Sequence, residues 1–264
     1  MLLFRITEYV RYLLTAHHRK GHGIHSPFVF DVVSRVIRNK TDETVVRLIE
    51  DRRKMLLKDK RPVRVTDLGS GSVSRKNKNE LRKVSDIARY SSLPPKYGSL
   101  LANLSVEFGR AGIIELGTSL GISTMYMAGA APGCEIVTVE GSPEIAGIAC
   151  QNFSDLKMTG IKMLCGSFRD KLGEAFSVVP EPGLVFIDGD HRRDSLLEYF
   201  GTIAERSPDS TVVVIDDIYL SKEMKEAWKA ISMHKRVSVS LDLYRMGIVF
   251  FRKGLNKNNF IVIH

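Results

Sequence analysis

From residue 97 to residue 215 the chain alternates helical periodicity with short β-branched runs, and this leaves few folds open. Amphipathic stretches at 97–108, 120–131, 143–157, 168–177 and 193–206 are separated by strand-like runs at 112–116, 135–139, 161–165, 183–188 and 211–215. Such alternation predicts an open, largely parallel sheet with helices on both faces, binding ligands at the carboxyl ends of its strands. A helix over 221–232 then leads into VSVSLDLY and GIVFFRK, joined tightly around Arg245-Met246. Those two runs predict an antiparallel pair at the sheet end.

The front of the chain follows another pattern. Helices are expected over 2–16, 27–38 and 42–58, then a strand over 63–67, a polar basic loop over 72–79 and a helix over 80–90 that stops at Pro94-Pro95. The chain thus divides into a mainly helical region, 1–92, and a sheet-bearing domain, 93–264. Charge divides the same way. Residues 1–92 hold 21 Lys+Arg against 10 Asp+Glu, and the remainder 18 against 20, within a net charge of +9. A basic front half suits nucleic acid, an anionic membrane surface or an acidic substrate, and suits a plain solvated surface equally. No apolar run reaches the roughly 20 residues that span a bilayer. The opening MLLFRITEYVRYLL carries Arg5, Glu8 and Arg11 and no small-residue cleavage site follows, so it reads as an amphipathic helix, not a leader. A cytoplasmic protein is expected. Cys134, Cys150 and Cys165 lack C-x-x-C spacing and are expected to be buried free thiols. His17, His18, His22 and His25 are a weak zinc pattern without Cys or carboxylate partners, and read first as a turn between helices.

Two stretches share one spelling: VRVTDLGSGS at 63–72 and GIIELGTSLG at 112–121. In the second, a strand feeds a glycine turn and a helix begins at once, so the helix N-terminus and close backbone approach favour an anionic group. The next strand ends in Glu140, an acid placed to accept hydrogen bonds from both hydroxyls of a ribose. Adenosine binding is the leading inference. The first stretch runs instead into VSRKNKNE and is a decoy for the cofactor. Its Gly69–Ser72 amides with Arg75, Lys76 and Lys78 could cradle an anion on the acceptor side. GTSLG also matches the nucleophile elbow G-x-S-x-G, with Ser119 as nucleophile, Asp188 or Asp216 as acid and His234 or His264 as base. Hydrolase elbows usually follow several strands, and here almost none precede.

ELGTSLGIST, VTVEGSPE, CGSF, LVFIDGDH and VVVIDDI, in this order, resemble the class I S-adenosylmethionine-dependent methyltransferases. The nearest likeness is to the catechol and caffeoyl-coenzyme A O-methyltransferases, over about residues 93–254. The resemblance implies a Rossmann-like, doubly wound, seven-stranded sheet whose last strand is antiparallel. It implies that Glu115, Gly117, Ser119 and Gly121 border the methionine part of the cofactor, that Glu140 binds the ribose, and that Gly166, Ser167 and Phe168 flank the adenine. Phe168 reads equally well as a core aromatic.

LVFIDGDH and VVVIDDI bring Asp188, Asp190, Asp216 and Asp217 to neighbouring strand ends. Clustered carboxylates need a cation or protons to offset their charge, and oxygen ligands suit Mg²⁺. The resemblance implies Asp188, Asp216 and Asp217 as metal ligands, although the related enzymes have Asp-Asn where this chain has Asp216-Asp217. His191 stands where that group has a lysine, and a histidine serves as general base near neutral pH. Asp188 and His191 are thus the expected catalytic pair, in an enzyme methylating an oxygen of a small acceptor, with the basic front half leaving an anionic one open. Material before the core sheet often packs over the acceptor pocket in that group, and such enzymes are often homodimers. Two other readings stay open: an RNA methyltransferase gripping phosphates with the basic front half, and a non-catalytic adenosylmethionine-binding protein.

Overall fold

The computed structural model describes residues 2–16, 26–66 and 79–264. The His17–His25 cluster and the basic loop with Gly69–Ser72, Arg75, Lys76 and Lys78 lie outside the described residues. The central sheet contains β3 (Ile113–Leu116), β4 (Ile136–Glu140), β5 (Ile161–Cys165), β6 (Leu184–Ile187), β7 (Val212–Ile215), β8 (Val239–Asp242), β9 (Gly247–Phe250) and β10 (Asn258–Ile261). Their order across the sheet is β10-β8-β9-β7-β6-β3-β4-β5. Pairing is parallel throughout except at β9, which runs antiparallel to both β7 and β8.

The inner strands IIEL, LVFI and VVVI are buried at every position, as expected of strands covered by helices on both faces. Successive side chains serve opposite layers. Val185, Ile187, Val213 and Ile215 join a core with α8 (Phe168–Val178), α9 (Arg193–Arg206) and α10 (Lys222–Ser232). Leu184, Phe186, Val212 and Val214 face the other way, against α5 (Pro95–Phe108) and Val29, Val33 and Val36. Those three valines belong to α2 (Pro27–Asp31) and the π-helical turn Val32–Ile37, where an uninterrupted helix over 27–38 was expected.

Two expectations are corrected. The sheet has eight strands, not seven, because Asn258–Ile261 pairs with β8 and buries Phe260, with Val262 buried just beyond it. Burying two such side chains contributes several kcal/mol, at roughly 1.5–3 kcal/mol each. The antiparallel strand therefore lies inside the sheet, between β7 and β8. The second correction is at the front: Asn79–Lys83 forms strand β2, antiparallel to β1 (Pro62–Thr66), and only Val84–Tyr90 is helical, as α4. NELRK is a good helix former, and its pairing with β1 overrides that propensity.

The front segments share their cores with the sheet domain. Ile49 and Leu56 of α3 (Glu43–Leu56), Val63 and Ile87 pack with Ile122 and Met125 of α6 (Ile122–Ala130) and with Ile145 and Phe153 of α7 (Pro143–Asp155). Helix α1 (Leu2–Thr15) is tied to the far end of the chain: the Tyr12 hydroxyl donates to the Val262 carbonyl at 2.6 Å, and Lys225 pairs with the buried Glu8 at 2.7 Å. No described helix is long and apolar enough to cross a membrane. The three cysteines are free, but Cys150 and Cys165 are exposed and Cys134 is half-buried, so the expectation of buried thiols fails. Cys165 ends the edge strand β5, which is only partly covered.

Candidate functional site

At β3 the sheet order reverses, with β4 on one side and β6 on the other. Open α/β sheets bind ligands at such a reversal, and a cavity of about 450 Å³ lies there. Each strand end contributes to its wall: Gly117 and Ser119 after β3, Glu140 from β4, Gly166–Phe168 after β5, Asp188–His191 after β6 and Asp217 after β7.

The turn after β3 is possible only with glycine. Gly117 has φ +108°, and a Cβ built there would fall 1.8 Å from the Asp188 carbonyl oxygen. The β3 and β6 ends thus touch backbone to backbone at the base of the cavity. Gly121 turns the chain into α6 and does not line the cavity.

Glu115 is also away from the cavity wall, sealed beneath the turn with no exposure. Its carboxylate accepts hydrogen bonds from the Ser123, Thr124 and Thr138 hydroxyls, and Thr118 hydrogen-bonds Thr138 in turn. Burial pushes its pKa up, and the three hydroxyl donors pull against that. Glu115 supports the turn from below.

Glu140 reaches the cavity with its carboxylate already oriented. One oxygen accepts from the Ser119 amide at 2.8 Å, the other from the Ser142 amide at 2.9 Å. Burial raises its pKa against these bonds. Each oxygen keeps a lone pair for a ligand hydroxyl. The β1–β2 hairpin docks at the same corner: Arg64 N–H donates to Glu144, Thr66 N–H donates to the Ser142 hydroxyl, and that hydroxyl donates to the Arg64 carbonyl. Val65, Thr66, Arg82, Ile87 and Tyr90 consequently line the cavity. The sequence reading missed this, because pairing of residues 62–66 with 79–83 is what brings Arg82 and α4 there. Phe168 lines the cavity and packs edge-on against Tyr199, with ring centroids 5.7 Å apart.

The acidic end departs furthest from expectation. Asp190 is tied down by Arg192 at 2.6 and 3.0 Å and by the Tyr199 hydroxyl at 2.8 Å. Burial raises its pKa, yet these bonds prevail and hold it below the usual carboxylate range. Asp216 has no side-chain exposure, and the Arg245 guanidinium forks onto both its oxygens, with Nε at 3.0 and 3.2 Å and a terminal nitrogen at 2.7 Å. The same nitrogen lies 3.7 Å from Asp217. Arg245 was read from the sequence only as a turn residue. Its role arises because β9 pairs with β7, setting Gly247 opposite Ile215 and the turn beside Asp216.

Burial and the Asp217 charge push Asp216 up to about 6, against the pull of Arg245. A guanidinium forked onto both oxygens favours the ionised form of Asp216. Burial and then the Asp216 and Asp217 charges push Asp188 well above the carboxylate range. Burial also lowers the pKa of His191, favouring the neutral imidazole, whose Nε2 stands 4.0 Å from Asp188.

These residues do not fit a divalent cation. The oxygens Asp216 would offer are taken by Arg245, and no three His, Cys, Asp or Glu side chains among the described residues converge as ligands. Neither of the two bases read for the nucleophile elbow, His234 or His264, lines the cavity that Ser119 lines.

Residues 114–218 match a family model described as a methyltransferase domain. Over those residues the chain is similar to a methyltransferase domain, in keeping with the likeness to class I methyltransferases. Within the class, a catechol O-methyltransferase of Niastella koreensis is 29% identical over 136 residues, covering 48% of this chain and 58% of that protein. The chain therefore spans less than two thirds of that relative. Among solved structures, the S-adenosylhomocysteine-bound methyltransferase PaMTH1 of Podospora anserina superposes with a TM-score of 0.58 at 14% identity, over 86% of this chain and 97% of that one. An O-methyltransferase of Bacillus cereus, also with S-adenosylhomocysteine, gives 0.55 at 18% identity over 84% and 97%. At such identities these two likenesses speak for the fold.

Proposed function

We propose that the protein is an S-adenosylmethionine-dependent methyltransferase acting on an oxygen of a small acceptor. The carrying observation is that one cavity is lined both by Glu140, oriented by two amides, and by Asp188, His191 and Asp217. Glu140 would accept the ribose hydroxyls, Gly166–Phe168 would flank the adenine, and Gly117 and Ser119 would border the methionine part. The acidic side chains of Asp188 and Asp217 on the cavity wall would suit a sulfonium. In the transfer, the S–CH₃ bond breaks with its electron pair left on sulfur, and the acceptor oxygen forms the new O–C bond. The hydroxyl proton passes to His191, whose neutral imidazole is ready to take it. The rest of the acceleration comes from alignment.

The name of the Niastella relative supports a small hydroxylated acceptor, and the basic charge of residues 1–92 supports an anionic one. The test is transfer of an isotope-labelled methyl group from S-adenosylmethionine to a panel of small hydroxylated compounds. Labelled oxygen ethers are expected, and His191→Ala is expected to slow their formation about 10²–10⁴-fold while S-adenosylhomocysteine affinity stays unchanged. Label appearing only on RNA would replace this reading with the nucleic-acid one. Cofactor binding without transfer to any acceptor, RNA included, would favour the non-catalytic one.

A further inference from the structure

We infer that Arg245 takes the place of a divalent cation in this site, so that the acidic strand ends are balanced by a guanidinium and the protein works without a metal. The inference rests on the methyltransferase reading only for what the site is for. The exclusion of metal rests on geometry alone.

Asp188, Asp216 and Asp217 stand at the ends of β6 and β7, near enough for their charges to repel although they do not converge as ligands, and that repulsion must be offset. Arg245 does this from the β8–β9 turn. It forks onto both Asp216 oxygens and approaches Asp217 to 3.7 Å, while its side chain keeps about a quarter of its exposure. A cation bridging Asp216 and Asp217 would need the same oxygens and would meet a fixed positive charge. At such spacing, like charges in a partly buried site repel strongly.

The turn that presents Arg245 is held in place, which fixes where its side chain leaves the backbone beside Asp216. Tyr244 adopts φ +67°, and its amide donates to Asp242 at 2.8 Å. Asp242, a buried residue, also accepts from the Tyr219 hydroxyl at 2.7 Å and from the Trp228 indole at 3.2 Å. The Arg245 carbonyl accepts from Ile218 N–H at 3.1 Å, tying the turn to the loop that follows Asp217. Two backbone bonds, Leu243 N–H to Met246 and Arg245 N–H to Leu243, both 2.9 Å, close the turn on itself. Asp242 and its donors are thus positioning residues for the guanidinium. A surface arginine that happened to meet an acid would need none of this scaffolding.

The deciding experiment is titration of the full chain with MnCl₂, followed by electron paramagnetic resonance of the free ion. The wild type is expected to show no saturable site. Arg245→Met, which leaves the carboxylates facing one another unbalanced, is expected to gain one Mn²⁺ site at least about a hundredfold tighter than any wild-type binding. Asp216→Asn added to that variant should remove the site again. Saturable stoichiometric Mn²⁺ binding by the wild type, abolished by Asp216→Asn, would overturn the inference, as would a folded Arg245→Met that binds no Mn²⁺. Should Arg245→Met fail to fold, Arg245→Lys keeps the charge and is expected to exclude Mn²⁺, and Mn²⁺ binding to it or to the wild type would overturn the inference. S-adenosylhomocysteine titrated in EDTA is read separately: no binding there, with wild-type Mn²⁺ exclusion intact, counts against the methyltransferase reading and leaves the role of Arg245 standing.

Discussion

Gly117→Ala is expected to abolish S-adenosylhomocysteine binding and to cost upwards of about 4 kcal/mol of stability, the range that marks a backbone or core rupture. The added Cβ would lie 1.8 Å from the Asp188 carbonyl oxygen, at φ +108°. No side chain can rotate to relieve a clash between two backbones, so the β3 end must move away from the β6 end. Those two ends form the base of the cavity, and the cavity should fail with them. Gly133→Ala supplies the control. Its φ is +84°, but no atom lies within 4 Å of the added Cβ, so only conformational strain of about 1 kcal/mol is expected. Urea denaturation of both variants separates clash from strain. Equal losses would show that the β3–β6 contact is not what the turn depends on.

Glu115→Ala is expected to lower stability by about 3–5 kcal/mol, because it strands the Ser123, Thr124 and Thr138 hydroxyls in a dry layer and leaves a hole. Glu115→Gln keeps the volume and an acceptor and should cost only about 1–2 kcal/mol. Because Glu115 does not line the cavity, the Gln variant is expected to bind S-adenosylhomocysteine with wild-type affinity. The sequence resemblance implied direct contact with the methionine part of the cofactor. The two accounts diverge on this variant: weakened binding with little loss of stability would restore the direct contact.

The sheet domain was legible because its inner strands are continuous apolar runs, and some of its helices open on a serine cap. Ser167 and Ser221, for instance, accept from the amides of Asp170 and Met224. Glu140, Asp188 and His191 were legible because they stand at strand ends, where such a sheet gathers its chemistry. What the sequence hid came from pairings between distant segments. Asn79–Lys83 has helical composition and becomes a strand only against Pro62–Thr66, which also carries Val65 and Thr66 to the cavity. Phe260, Ile261 and Val262 form a strand-like run after the expected last strand and gave a usable signal for β10 that the reading did not take. Arg245 gave none, since its partner Asp216 lies 29 residues away and only the β7–β9 register joins them. A cluster of acids suggests a cation. Whether a metal or an arginine supplies it is decided in three dimensions.

In the proposed function Glu140 binds the ribose of an adenosyl ligand in this cavity. Calorimetric titration of S-adenosylhomocysteine into the wild type and into Glu140→Ala tests it most directly. One-to-one binding is predicted for the wild type. With far-UV circular dichroism unchanged, the variant should bind about 10²–10³-fold more weakly, as the loss of two charge-assisted hydrogen bonds requires. Equal affinity in the two proteins, or no binding by the wild type, would rule out that role for Glu140.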